Sequence, residues 1–236
     1  MEHIFRRLSF KELWRTSPVS TVLVVVNVLI FVGGIFINTY FPMEDEFIYS
    51  IAINSYQIDT FGEYYRFITA GFGHFDIIHA LFNIGFGIYI ISAGLERLIG
   101  SFRFSLIYFI SLIGSSLAVY FFVDDVQVIN SVFNLTFTAG ASGAIYGAVG
   151  ALLFISLVRP DMLSRNEVAS IRQLVIINII FTFVVTNISV VGHLGGLVVG
   201  MLLSYLLIPN NRKGVKDNTV YDYTNDDSEE NWWEEH

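Results

Sequence analysis

The stretch Gly140-Ala141-Ser142-Gly143-Ala144-Ile145-Tyr146-Gly147 opens an apolar run and sets a hydroxyl between glycines at a helix start. Far downstream, Gly192-His193-Leu194-Gly195-Gly196 opens another apolar run. A serine and a histidine, each in a glycine-lined apolar segment, supply a nucleophile and a base for it. Whether the two can meet depends on the segments that carry them.

The chain of 236 residues is 54% hydrophobic, with a mean hydropathy of +0.61. That apolar content exceeds what a soluble domain needs. Runs of about twenty apolar residues mark transmembrane helices, matched to a hydrocarbon core of ~30 Å. Six occur, at about 19–39, 76–95, 103–123, 141–158, 173–190 and 191–208. Barrel-type alternation is absent, so the expected fold is an all-α polytopic bundle of six transmembrane helices. The first run is too long and too far along the chain to read as a cleaved signal peptide.

No cysteine occurs, which excludes disulfides, thiol nucleophiles and thiolate metal sites. Of the 21 acidic residues, eight follow Lys216, so the net charge of -8 mostly describes the tail. No basic face points to nucleic acid. Twelve of the 13 Lys and Arg fall on one side of the predicted topology: four before the first helix, Arg97 and Arg103 in the helix 2–3 turn, Arg159, Arg165 and Arg172 around the helix 4–5 turn, and Arg212, Lys213 and Lys216 at the end. Arg66 alone falls on the other side. The positive-inside rule then places both termini in the cytoplasm of a multi-pass protein, expected in the cell membrane. The loops 40–75 and 124–139 lie outside.

The expected organisation is a cytoplasmic lead at 1–17, a six-helix domain at 18–208 and an acidic, disordered tail at 209–236 that holds Trp232 and Trp233. Pro18 starts helix 1, and Asn27 within it is expected to contact a neighbouring helix. The long loop 40–75 carries Glu63-Tyr64-Tyr65-Arg66-Phe67-Ile68-Thr69, an amphipathic stretch suited to the membrane interface. In helix 2, His79, Asn83 and Gly87 share one face, with His74 at the mouth. Polar groups in an apolar helix need partners; taken alone this pair reads as helix-to-helix hydrogen bonding, and beside Ser142 and His193 the functional reading gains. Glu96 reads as an acceptor for backbone or hydroxyl groups at an interfacial turn. Helix 3 carries Ser111, Gly114, Ser115 and Ser116, small residues that permit close packing. Gly143, Gly147 and Ala151 form a small-residue stripe in helix 4, and Gly192, Gly196 and Gly200 form one in helix 6. Such stripes let helices approach closely. Helices 4 and 6 start on the same side, so Ser142 and His193 lie at similar depth. The triplets at Asn134 and Asn187 fit the glycosylation pattern, a frequent chance match.

A neutral imidazole can take the serine proton and return it to the leaving amine. Unpaired N–H groups at the start of helix 4 can meet an oxyanion, with His79 and Asn83 as further donors. No Asp or Glu lies within the predicted helices 4 to 6, which predicts a Ser–His dyad rather than a triad. His3, His74, His79, His193 and His236 do not make a His-Glu-x-x-His cluster, and no aspartate is central to a span. Metal and cofactor are therefore not expected.

These residues resemble the rhomboid family of intramembrane serine proteases over roughly 18–208. The resemblance rests on Gly140-Ala141-Ser142-Gly143, on Gly192-His193-Leu194-Gly195-Gly196, on His74, His79 and Asn83 as His-x4-His-x3-Asn, and on Glu63-x-x-Arg66 and Glu96-x3-Gly100. It implies cleavage of other membrane proteins in or near their transmembrane segments. It implies Ser142 as nucleophile and His193 as general base. His79, Asn83 and the Ser142 amide would form the oxyanion site. Tyr146 would pack its ring on the histidine, and Arg66 and Glu96 would be structural. Tyr65 departs from the family's Trp before the Arg. The expected function is an intramembrane serine endopeptidase acting on transmembrane protein substrates in the lipid bilayer. The alternative is a non-catalytic client-binding protein of the same fold. A transporter is disfavoured by the few polar groups and by the lack of an internal repeat.

Overall fold

The computed structural model describes residues 4–41, 47–129, 132–185 and 188–209. The tail beyond 209, with its tryptophan pair, and Asn187 lie outside the described residues.

The principal helices are α1 (Pro18–Tyr40), α2 (Ile77–Ile99), α3 (Ser101–Phe122), α4 (Ser142–Val158), α5 (Arg165–Val184) and α6 (Val190–Leu207). All but α4 are long and apolar enough to cross a bilayer. With 17 residues, α4 is the shortest, and thirteen of those residues are buried. It is the axis on which α2, α3, α5 and α6 pack, while α1 packs on α2.

Small residues explain how α4 can be central. A Cβ added to Gly196 would strike the Gly143 carbonyl, and one added to Gly200 the Gly147 carbonyl. The pairs 143/196 and 147/200 advance in the same direction, so α4 and α6 run parallel with backbones in contact. The same glycines of α4 also meet α3, where Gly143 faces Ser115 and Gly147 faces Ser111. Ser115 also donates to the Gly192 carbonyl at 2.8 Å, which ties α3 to α6. The expected stripes therefore form one three-helix contact. By contrast, only 17% of the most apolar window of α5 is buried, so this helix stands at the edge.

Predicted and observed bounds agree within a few residues except for α5, predicted at 173–190. Its start is set by Ser164, whose hydroxyl accepts from the Glu167 N–H at 3.3 Å while Glu167 accepts from the Ser164 N–H at 2.8 Å. This capping box launches a polar first turn that a hydropathy run does not include. Arg172, assigned above to a turn, lies inside α5 and donates to the Ser156 carbonyl at 3.0 Å. In α2 the register widens over Leu81–Ser92, and the Ala93 N–H donates to the Ile88 carbonyl five residues back. Gly87 still faces α4, because a Cβ there would strike Ile145. Asn27 donates to Leu23 of its own helix at 2.8 Å and not to a neighbour.

The lead into α1 is folded onto α2. Ile4, Phe5, Leu8 and Leu13 are buried, and a helix at Phe10–Thr16 starts from a Ser9–Glu12 capping box. The Leu8 N–H donates to the Tyr89 hydroxyl at 2.9 Å, and Arg97 donates to the Ile4 carbonyl. Glu96 is the acceptor expected: it takes the N–H groups of Val19 and Ser20 at 3.0 and 2.7 Å, and the hydroxyls of Ser20 and Ser101, each at 2.7 Å.

The other end of the bundle is closed by the long loop. It folds into short helices Phe47–Ile51, Ser55–Phe61 and Arg66–Thr69. Arg66 is buried, pairs with Glu63 at 2.6 Å and donates to the carbonyls of Tyr49 and Ala52 at 2.7 and 2.5 Å. The 124–139 connection, read above as a plain loop, contains an antiparallel hairpin, β1 (Val126–Ile129) and β2 (Val132–Leu135), with Val126 opposite Leu135. Asp125 joins the two loops by accepting the Ser55 N–H at 2.7 Å.

Valine at Gly196 is expected to cost about 1–3 kcal/mol through overpacking, or more because backbone is the obstacle. Thermal unfolding in detergent should show the loss, with Gly33→Ala, which meets nothing within 4 Å, as the unaffected comparison. Equal stability of the two variants would refute the close contact of α4 and α6.

Candidate active site

Ser142 is the first residue of α4 and is half-buried. Gly140, two residues earlier, takes φ +137°, a backbone conformation that L side chains rarely adopt. Its N–H donates to the Ala70 carbonyl at 2.8 Å, which anchors the entry to α4. Ala141 precedes the helix and no side chain caps it. The first-turn N–H groups are thus left to other partners.

His193 lies in the first turn of α6. Ser189 caps that helix by accepting the Gly192 N–H at 3.2 Å, and the His193 N–H donates to the Ser189 carbonyl at 3.0 Å. The imidazole is buried and stacks on the Tyr146 ring, with centroids 3.9 Å apart and planes at 16°. Its Nδ1 lies 3.1 Å from the Thr182 hydroxyl. That contact leaves Nε2 as the other ring nitrogen. The parallel register of α4 and α6 brings Ser142 and His193 to one level, and both line the same cavity of about 1360 Å³. This exceeds the common ligand-pocket range of ~300–1,000 Å³.

His79 and Asn83 line that cavity too. A Cβ on Gly140 would come within 2.8 Å of His79 Nε2 and 3.4 Å of Ser142 Oγ, so the glycine lets the two approach it from one side. The start of α2 is fixed by Asp76, which accepts the His79 N–H at 2.8 Å. Asn83 donates to the His79 carbonyl at 3.0 Å, and its own carbonyl oxygen is buried without a partner among the described residues. One amide hydrogen is therefore already used, and the other remains. Gly143 sits against Ser115, inside the helix contact.

His74 does not line the cavity. Its ring packs edge-on against His79 at 5.2 Å and against Phe31 at 6.3 Å. Burial, with His79 beside it, pushes its pKa down to about 3, so it is uncharged near neutral pH.

Thr182 and Asn178 are the residues that the sequence reading missed. Both lie on α5, one turn apart. Tyr146 donates its hydroxyl proton to the Asn178 carbonyl at 2.6 Å and lies 2.5 Å from the Thr182 hydroxyl. Asn178 takes part through its backbone carbonyl, which any residue would supply, so the available signal was the Thr182 hydroxyl in an apolar span. Glu167 falls inside α5 with its observed start, a correction to the acid-free helix predicted above. Fifteen residues from Thr182, at ~1.5 Å per residue, it lies about 22 Å away along the helix.

Residues 61–210 match the family model described as the Rhomboid domain. The rhomboid protease GluP of Bacillus subtilis (strain 168) is 37% identical over 146 residues, covering 62% of this chain but only 26% of GluP. YdcA of the same bacterium is 34% identical over 149 residues, covering 62% of this chain and 69% of YdcA. The rhomboid protease AarA of Providencia stuartii is 25% identical over 204 residues, covering 80% of this chain and 72% of AarA. A glycine-packed helical bundle that sets a serine and a histidine on one cavity, together with a match across more than half of its length, makes this multi-pass integral membrane protein a member of the rhomboid family.

Proposed function

We propose that this chain is an intramembrane serine endopeptidase that cuts transmembrane segments of other membrane proteins with a Ser142–His193 dyad. The observation that carries the reading is the parallel α4–α6 register, which aligns the two residues on one cavity. Nε2 of His193 takes the Ser142 proton as Oγ attacks the scissile carbonyl. The resulting oxyanion is met by the Ser142 N–H, by His79 and by the free amide hydrogen of Asn83. His193 then protonates the leaving amine. Water attacks the acyl ester with His193 again as base, which returns Ser142.

The cavity has room for an extended peptide segment, and the reaction needs no cofactor or metal. Seventeen residues of α4 span about 25 Å at ~1.5 Å per residue, short of the ~30 Å core. Ser142 then sits below the lipid boundary in a pocket that water reaches from outside. The distribution of Lys and Arg supports cytoplasmic termini, with Arg165 and Arg172 now counted in α5, and a place in the cell membrane. The six-helix domain 18–208 holds the machinery, with the lead 1–17 and the tail 209–236 on the cytoplasmic side.

Ser142→Ala should abolish cleavage of a transmembrane substrate by the pure protein in detergent, with unfolding unchanged. Equal cleavage would exclude Ser142 as nucleophile. An unmodified protein that holds such a segment and never cuts it would favour client binding instead. Gly140→Ala places a Cβ between His79 and Ser142 on backbone that disfavours it, a strain of about 1–3 kcal/mol. Its labelling by a fluorophosphonate should fall at least tenfold below that of the unchanged chain. The kcat/KM for cleavage should rise with pH as His193 loses its proton; a flat profile would argue against a histidine base.

A further inference from the structure

We propose that Thr182 of α5 is a positioning residue that holds His193 in the tautomer protonated at Nδ1, leaving the Nε2 lone pair for Ser142. The inference rests on the protease reading for its purpose and on a count of protons for its content. Three oxygens form a buried triangle: Tyr146 Oη to Thr182 Oγ1 at 2.5 Å, Tyr146 Oη to the Asn178 carbonyl at 2.6 Å, and Thr182 Oγ1 to that carbonyl at 3.0 Å. The carbonyl has no proton to give. Only the two hydroxyl protons, one from Tyr146 and one from Thr182, can serve these contacts.

His193 Nδ1 lies 3.1 Å from Thr182 Oγ1, at the corner of the triangle. If Thr182 donated to Nδ1, one proton would remain for three oxygen contacts. One of the two short contacts would then bring bare lone pairs together. If Nδ1 carries a hydrogen and donates to Thr182, both hydroxyl protons stay within the triangle, and both short contacts are served. The imidazole has one N–H to place in its neutral form. Placing it on Nδ1 satisfies the group, and Nε2 is then the unprotonated nitrogen on the cavity side.

The sites of attachment make this more than local tidiness. Tyr146 comes from α4, His193 from α6, and Thr182 and Asn178 from α5. Thr182 is 1% exposed on a helix that is otherwise largely uncovered. Its hydroxyl is a polar tie from the edge helix to the dyad, and it also fixes the rim of the Tyr146 ring that stacks on the imidazole. A hydroxyl here does for the tautomer what a carboxylate does in a triad.

The test is the tautomer itself. With 15N-labelled histidine in micelles, and His193 assigned by its loss in His193→Ala, the unchanged protein should show a protonated Nδ1 and a bare Nε2 at a pH where the ring is neutral. A protonated Nε2 in the unchanged protein overturns the proposal whatever the activity. In Thr182→Val, which keeps the shape and loses the acceptor, the Nδ1–H fraction should fall. Its kcat should drop about tenfold or more, up to the ~10²–10⁴ that a positioned base contributes, with KM little changed. Thr182→Ser should restore both signals. A Thr182→Val protein with the tautomer and kcat of the original refutes the assignment. A protein that never cleaves substrate, yet shows Nδ1–H, removes the protease reading and leaves the tautomer standing.

Discussion

The structure depends on two helix backbones touching where side chains would normally hold them apart. The carbonyl of Gly143 occupies the space a Cβ at Gly196 would need, and the carbonyl of Gly147 does the same at Gly200. In a bilayer no hydrophobic force drives helices together, so close packing and small polar contacts must do so. The repeated pair also fixes a direction and a register. Had α6 run antiparallel to α4, or slipped by one turn, the imidazole would leave the level of the serine. The site is in this sense a by-product of glycine spacing.

Charge is arranged around that contact. Among the described residues, the buried charged side chains lie at the two ends of the bundle. Arg66 and Asp125 bind the loops at the end where α4 begins. Glu96 and Arg159 lie at the opposite end, Glu96 holding the start of α1 and Arg159 paired with Asp161 at 2.9 Å. Each has several hydrogen-bond partners, as a buried ion requires. The middle of the bundle is left to hydroxyls, amides, imidazoles and packed apolar side chains.

What could be read from the sequence follows from how local each signal is. The stripes at Gly143, Gly147, Gly196 and Gly200 were legible because glycine spacing records contact directly. Ser142 and His193 were legible because each opens an apolar run. The true start of α5 was not, because Ser164 and Glu167 begin the helix with polar residues that look like a loop in a hydropathy profile. The hairpin at 126–135 was hidden because two four-residue strands carry too little alternation to stand out within a connection. The widened register of α2 leaves composition unchanged, so no pattern reports it. Thr182 escaped notice because a threonine in an apolar helix usually bonds back to its own turn. Here that carbonyl, of Asn178, lies 3.0 Å away, but the fold brings Tyr146 and His193 to the same hydroxyl.

That last residue bears on what stands behind His193, where the partner of Nδ1 is a hydroxyl and not a carboxylate. A carboxylate behind the histidine would orient it more strongly, but an ionised group at bilayer depth costs several kcal/mol unless fully paired. A hydroxyl orients by geometry alone and brings no charge to bury. It also needs something to fix its own proton, or it would turn and donate where it should accept. The Tyr146 hydroxyl supplies that constraint: it gives its own proton to the Asn178 carbonyl at 2.6 Å and takes the Thr182 proton at 2.5 Å. The ring that stacks on His193 and the phenol that holds Thr182 belong to one side chain, so the plane of the imidazole and the direction of its proton are set together. On the proposed reading, a neutral hydroxyl stands where a triad has its third member, at the depth where neutrality costs least.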